Sequence, residues 1–265
     1  MQTIAVFSDI HGNLPALEAV LDDLDRRRRQ DGIDAVYCLG DLVGYGTWPN
    51  EVCDAIRARG IPTIAGNYDE GVGLNSDDCG CAYKTEDEQA RGEKSIAYTN
   101  EMVSSDSRRF LRGLPRHIRL TFEAPRSRST PSRVLLVHGS PRRINEYLTI
   151  DRPEKSMIRM MSDAGADVML FGHTHKPYHR VFEVRYDDEV RYLHCVNTGS
   201  VGKPKDGDPR AGYVLLTIDP EVPMSDPSYL SHELVRVSYD VEAAAAAVES
   251  SVLPNEYADM LRRAY

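Results

Sequence analysis

No stretch of this sequence is apolar for long enough to cross a bilayer as a helix, which takes about 20 such residues. Basic charge is outnumbered: 32 lysines and arginines stand against 41 aspartates and glutamates, a net charge of −9. That balance argues against a sequence-independent clamp on long nucleic acids, which needs many cationic contacts to phosphate. The single basic run, Arg26-Arg27-Arg28-Arg29, closes an amphipathic helical pattern and reads as a solvated helix end. Cysteine is sparse and odd in number: Cys38, Cys53, Cys79, Cys81 and Cys195. Reduced thiols are expected, and Cys79-Gly80-Cys81, an arrangement that can bind metal or act in redox chemistry, has no second pair and reads as ordinary loop cysteines. The opening Met1-Gln2-Thr3-Ile4-Ala5 lacks a basic flank or cleavage pattern, so a cytoplasmic location is the expectation.

What is present is ordinary globular material. The 265 residues, 41% hydrophobic and 28% charged, suit a single domain, 1–265, with one large insertion. Strand-like apolar runs at 3–8, 34–39 and 61–65 alternate with helical patterns, the first carrying Leu14, Leu17, Leu21 and Leu24 behind an Asn13 cap. Such alternation predicts parallel strands joined by helical crossovers. Residues 70–133 break the pattern. They read as a helical insertion and a hairpin strand, with a turn-rich loop from Ala124 to Pro131, placed to shape substrate access. Strands return at 133–137 and 167–171, around a helix near 154–163. They continue at 178–186, 190–196, 212–219 and 232–239, with a turn at Asp187-Asp188. The tail, 241–263, reads as two short helices broken at Pro254 and packed outside the sheet.

Five of the apolar runs end in side chains able to bind metal: Asp9 and His11; Asp41; Asn67; His138; His173 and His175. In open α/β sheets ligands gather at the carboxyl ends of strands, so these groups should converge. Each block also holds a glycine, at 12, 40, 66, 139 and 172, which permits tight turns and close backbone approach. Any one Asp or His could be a cap or a turn former, but the whole set is hard to explain that way. Imidazole, carboxylate and amide donors without thiolate suit two divalent ions, Mn first and Fe, Zn, Ni or Co as alternatives. Two ions roughly 3.5–4 Å apart can clamp both oxygens of an in-line displacement.

Asp9-Ile10-His11, Gly40-Asp41-Leu42-Val43, Gly66-Asn67-Tyr68-Asp69, Val137-His138-Gly139 and Gly172-His173-Thr174-His175 together resemble the ordered signature of calcineurin-like metallophosphoesterases. The stretch Asn197-Thr198-Gly199-Ser200-Val201-Gly202 resembles the small bacterial phosphodiesterase branch. The resemblance implies a four-layer α-β-β-α sandwich of two mixed sheets. It implies Asp9, His11 and His175 at one ion, Asn67, His138 and His173 at the other, and Asp41 between them. It further implies hydroxide attack on phosphorus with inversion, and as substrate a small nucleotide or related phosphodiester. A dinucleoside polyphosphate, a broader phosphatase substrate range, or a partner-binding scaffold on the same fold are the alternatives. No membrane partner is expected, and the oligomeric state stays open.

The chain departs from the family pattern at Tyr68, where most members carry a histidine that contacts the phosphoryl group. A tyrosine, with a reference pKa of about 10, stays protonated at neutral pH but is a poor general acid. Weakened leaving-group protonation, and hence diesters with acidic leaving groups, is the expectation; packing beside the site is the other reading. Asp69 is a candidate for orienting a neighbouring group. Among the remaining histidines, 117, 179 and 232 read as sheet residues, and only His194 is kept as a substitute acid. Arg142, Arg143 and Lys203 are cations near motif loops, where phosphate contact competes with plain solvation.

Overall fold

Strand β1 (Gln2–Phe7) sends Ile4 and Val6 to one side and Ala5 and Phe7 to the other, and both sides are buried. A strand covered on both faces reads as a continuous apolar run, and it needs a layer above and below. The computed structural model, which describes residues 1–123, 131–186 and 189–265, supplies both layers.

After β1 come α1 (Leu14–Asp31), β2 (Ala35–Cys38), α2 (Pro49–Ala58), α3 (Asn67–Gly73), α4 (Glu86–Met102) and α5 (Ser105–Arg112). Then follow β3 (His117–Phe122), β4 (Ser132–Val137), α6 (Glu154–Asp163), β5 (Val168–Phe171), β6 (Tyr178–Tyr186) and β7 (Glu189–Asn197). The chain ends with β8 (Ala211–Ile218), β9 (Leu230–Val237), α7 (Val241–Glu249) and α8 (Glu256–Arg263). One sheet has the order β2-β1-β8-β9 and the other β3-β4-β5-β7-β6; both mix parallel and antiparallel pairs.

Alternate residues of each central strand separate the layers. Val134 and Leu136 of β4, Val168 and Leu170 of β5, and Val214 and Leu216 of β8 meet Ile4 and Val6 between the sheets. Leu135, Met169 and Phe171 face outward onto Met157, Met160 and Met161 of α6. On the opposite outer face, Ala5, Phe7 and Tyr213 pack against Leu17, Val20 and Leu24 of α1. The result is the α-β-β-α sandwich. No helix among the described residues is long and apolar enough to cross a membrane.

Two expectations need correction. Residues 61–65 form no strand: a single bridge joins Thr63 to Cys38, and the next two amides go to different acceptors, Ile64 to Cys38 O and Ala65 to Pro115 O. Pro62 has no amide to continue a ladder. The tail helices do not lie on a sheet. Ala244, Val248, Tyr257 and Leu261 pack together over Tyr45 and Trp48, at the loop that follows Asp41. The apolar face of the tail meets aromatic rings there, which the short loop cannot bury alone. The loop at 124–130 and the turn at Asp187 and Asp188 lie outside the described residues. Helices α4 and α5 rest on α2 and α3, and β3 forms the edge of the second sheet.

Candidate metal centre

The strand ends turn sharply, and the cost is visible in the backbone. Asp9, His11, Asp41, His173 and His175 all adopt positive φ, between 51° and 65°. For an L-residue with a side chain that conformation costs about 1–2 kcal/mol, so five such residues in one place mark a site where geometry outranks local stability. Two carboxylates sit in cradles left by glycine: a Cβ on Gly66 would collide with the Asp41 carboxylate, and one on Gly172 with that of Asp9.

Each carboxylate divides its oxygens. Asp9 Oδ2 accepts the His173 amide at 3.0 Å, while Oδ1 has no hydrogen-bond partner and lies 3.2 Å from His175 Nε2 and 3.6 Å from His11 Nε2. Asp41 Oδ1 accepts the Tyr68 amide at 2.9 Å. Its Oδ2 lies between two rings, 3.3 Å from His138 Nε2 and 3.6 Å from His11 Nε2. Asp9, His11 and His175 thus form one buried triad and Asp41, His138 and His173 a second, with the donor atoms of each within 4.8 Å of one another. Asn67 joins the second, its Oδ1 3.2 Å from His138 Nε2.

The protons can be placed from the carbonyls. Nδ1 of His11 faces Val43 O at 3.0 Å, that of His138 faces Leu39 O at 2.9 Å, and that of His175 faces Lys203 O. A carbonyl only accepts, so each Nδ1 carries a hydrogen and leaves Nε2 bare in the neutral ring. Nε2 of His11 and of His175 then point at each other across 3.1 Å, with Asp9 Oδ1 beside them. Lone pairs converge in this way around positive charge. His173 Nε2 is likewise buried without a partner. This donor set fits two divalent ions, and the fold holds it ready, since ring orientation fixed by carbonyls is a regular support of metal ligands.

The titration behaviour agrees. Burial would push the Asp9 carboxyl up, but His175, His11 and His138 hold it well below the ordinary range. Burial opposes ionisation of Asp41 too, and His138 brings it down. His138 itself would be lowered by burial, yet Asp41 and Asp9 raise it to about 9. Burial, then the His138 charge, lowers His173 to about 4; burial, then Lys205, lowers His175 to about 3. Two ionised carboxylates beside neutral His173 and His175 suit a cation, and His138, protonated beside Asp41, would give up its Nε2 proton when an ion takes that place.

The remaining candidates divide. Tyr68 is at the site, its ring edge-on to His11 with centroids 5.5 Å apart, but its hydroxyl is buried without a hydrogen-bond partner. Burial, then the neighbouring Tyr45, raises its pKa well above the ordinary value. Asp69 accepts the amides of Leu42 and Gly66, both at 2.9 Å, and so ties the Asp41 loop to the Asn67 loop. Burial, then Asp41, raises its pKa to about 7. His194 is not brought to the cluster. It stands in the middle of β7, one step out of phase with the outward-facing Leu193 and Cys195, so it points between the sheets toward His179 and Tyr229.

Sequence reasoning passed over Tyr45, Tyr147 and the contact of Cys81 with Asn67, and took Lys203 only as a cation near a motif loop. Tyr45 lies 4.8 Å from His11 and Tyr147 4.1 Å from His173, ring centre to ring centre. Lys203 is buried with its ammonium 4.7 Å from the Tyr45 ring, and Asn67 donates to Cys81 Sγ at 3.2 Å. The glycines on both sides of Tyr45 were a readable signal; nothing local marks Tyr147.

Comparison with known proteins agrees with this geometry. Residues 2–221 match the model of the calcineurin-like phosphoesterase superfamily domain. An uncharacterized protein of Methanocaldococcus jannaschii is 33% identical over 263 residues, covering 95% of this chain and 93% of that one. The crystal structure of a metallophosphoesterase from Sphaerobacter thermophilus superposes with a TM-score of 0.69 at 25% identity, covering 100% of this chain and 99% of the other. A hypothetical protein from Pyrococcus horikoshii shares the fold, with a TM-score of 0.75 at 22% identity and the same coverage.

Proposed function

This chain belongs to the calcineurin-like phosphoesterase superfamily, and from that premise we propose that it hydrolyses a small phosphodiester, such as a nucleotide diester, with two divalent ions, Mn first among them. The observation that carries the reading is the convergence of bare Nε2 atoms of His11 and His175 on the unpartnered Asp9 Oδ1. Asp9, His11 and His175 would hold one ion; Asn67, His138 and His173 the other; Asp41, with Oδ2 between His11 and His138, would serve both. Such a pair, when bound, activates a water molecule and neutralises charge on the phosphoryl oxygens.

The chain's own groups do the positioning. Asp69 keeps the Asp41 and Asn67 loops in register through two amides. Tyr68 retains its proton, because its hydroxyl is buried, so it contributes little to a departing alkoxide. The substrates favoured are therefore diesters whose leaving group departs without much help. A cavity of about 160 Å³ borders His138 and is lined by Arg116, His117, Arg119, Arg142 and Arg143. It supplies positive charge and room for a phosphate-bearing fragment on an otherwise acidic molecule. Of the segment that follows α3, Arg116, His117 and Arg119 line that cavity, and Gly80 and Ala82 of the loop before α4 line a neighbouring one with Arg142 and Arg143.

The test is to strip the protein of metal, restore Mn, and assay aryl and alkyl phosphodiesters. Hydrolysis should return with Mn, and the rate should fall steeply as the leaving group becomes more basic. Tyr68→His should flatten that dependence. Equal dependence in the two proteins would overturn the role given to Tyr68; inactivity with two ions bound would favour a binding scaffold.

A further inference from the structure

The Cys79-Gly80-Cys81 segment is more than a loop with two thiols. Its sulfurs lie 2.8 Å apart, so a disulfide of about 2.05 Å requires a shift of under about 1 Å. Gly80 makes the approach possible with φ +67, where a Cβ would press on Asn145 Nδ2. The turn is held from three directions. Asp78 Oδ1 accepts the Gly80 amide at 2.8 Å, Ser76 Oγ accepts the Asp78 amide at 3.1 Å, and Asn145 Nδ2 donates to Gly80 O at 2.8 Å. Cys79 is buried in the same core as Cys38 and Cys53, and Cys195 in the other helix-facing core; of the five cysteines Cys81 alone is partly exposed.

The same turn grips Asn67. The Asn67 amide nitrogen donates to Cys79 O at 2.9 Å and to Cys81 Sγ at 3.2 Å, which aims its Oδ1 at His138 Nε2. One side of the amide reads the dithiol while the other faces the second triad. Cys81 is partly exposed and Cys79 buried, so an oxidant meets Cys81 first.

We propose that Cys79 and Cys81 form a redox-active dithiol, a modification site whose closure to a disulfide releases Asn67 and weakens the adjacent metal site. The oxidant is a low-molecular-weight disulfide. The Cys81 sulfur attacks it, forming a mixed disulfide and expelling one small thiol, which takes the proton. The Cys79 sulfur then attacks Cys81 Sγ and expels the second small thiol. The protein loses two hydrogens and two electrons, and the small disulfide is reduced to two thiols. Closure removes the thiol that Asn67 contacts and pulls on the carbonyl that holds it. Losing a contact that orients a metal ligand typically costs 10–100-fold in metal affinity. The metal half of the proposal rests on Asn67 serving as a ligand; the disulfide half does not.

The test treats wild type, Cys79→Ser and Cys81→Ser with glutathione disulfide, reads intact mass and linked peptides, and titrates Mn before and after. Wild type should lose the mass of two hydrogens and yield a peptide joining Cys79 to Cys81, reversibly with dithiothreitol. Cys79→Ser should stop at one glutathione on Cys81, and Cys81→Ser should form neither product at that loop. Oxidised wild type should bind one of its two Mn ions roughly 10–100-fold more weakly. Absence of the 79–81 link, or a link that leaves both Mn affinities unchanged, would overturn the proposal. Neither readout needs hydrolysis, so a protein that cleaves no diester would count against the proposed function and still decide this one.

Discussion

The molecule contains two histidine clusters, and only one of them is built to hold metal. His11, His138, His173 and His175 hang from loops at strand ends, share their space with Asp9 and Asp41, and include three residues at positive φ. His179, His194 and His232 sit within β6, β7 and β9 in ordinary strand backbone, where the two sheets meet. There the His179 and His194 rings stack at 5.2 Å with a 3.0 Å hydrogen bond, and His232 lies 4.3 Å from His179. Among the described residues no carboxylate shapes that second group; burial, then the other histidines, lowers His194 to about 3, while burial and His232 take His179 to about 4. Imidazoles gathered in one place are therefore not a metal site. Carboxylates that cannot otherwise be satisfied, on a backbone bent to present them, are.

The strongest way to break the contrast is to remove one member from each cluster. Asp41→Ala or His138→Ala should lower diester hydrolysis by ~10²–10³-fold or more, the scale of losing a preorganised electrostatic partner. Each should also lose bound Mn, measured by elemental analysis of dialysed protein. His194→Ala should retain both ions. If it loses them as His138→Ala does, the two clusters are coupled and the distinction fails.

Metal stripping comes next in size. Ions that bind the folded state alone stabilise by about 2.7 kcal/mol per site at a hundredfold excess over Kd. For a chain of this length that is several degrees in Tm per site. Mn should raise the melting temperature of wild type and of His194→Ala alike, and raise that of Asp41→Ala far less. An equal rise in all three would mean that the ions stabilise from somewhere else.

Much of this was legible in the sequence because the signal was local. Each ligand block sits at the end of an apolar run, and strand periodicity says where such a run ends. Asp9, His11, Asp41, His138, His173 and His175 are brought together by parallel strand ends that point the same way, and Asn67 by the first turn of α3. His194 was misjudged because sequence distance to Asn197 stood in for space, although a residue an odd number of steps from its neighbour on a strand faces the other side. The tail helices, Tyr147 and the grip of Cys81 on Asn67 depend on contacts between distant segments, which no periodicity records. The strain at positive φ was hidden too, since aspartate and histidine carry no mark of it.

The smallest expected effect concerns the second cluster alone. His194 Nε2 is buried without a hydrogen-bond partner, so His194→Leu removes an unsatisfied polar atom while depriving His179 of a partner. These effects oppose each other, and the change in unfolding free energy at pH 7 should stay within about 1 kcal/mol. Acid should separate the two proteins. His194 titrates lower folded, at about 3, than unfolded, near 6.5, so the unfolded chain binds the extra proton first. Its contribution to stability is complete above about pH 6.5 and is lost as pH falls from there toward 3, by at most about 1.4 kcal/mol per pH unit. Urea unfolding at a series of pH values from 7 to about 4.5 should show wild type losing stability faster than His194→Leu. Parallel curves would mean that this histidine is protonated as easily in the folded chain as in the unfolded one, and that the seam between the sheets admits water or a counter-ion.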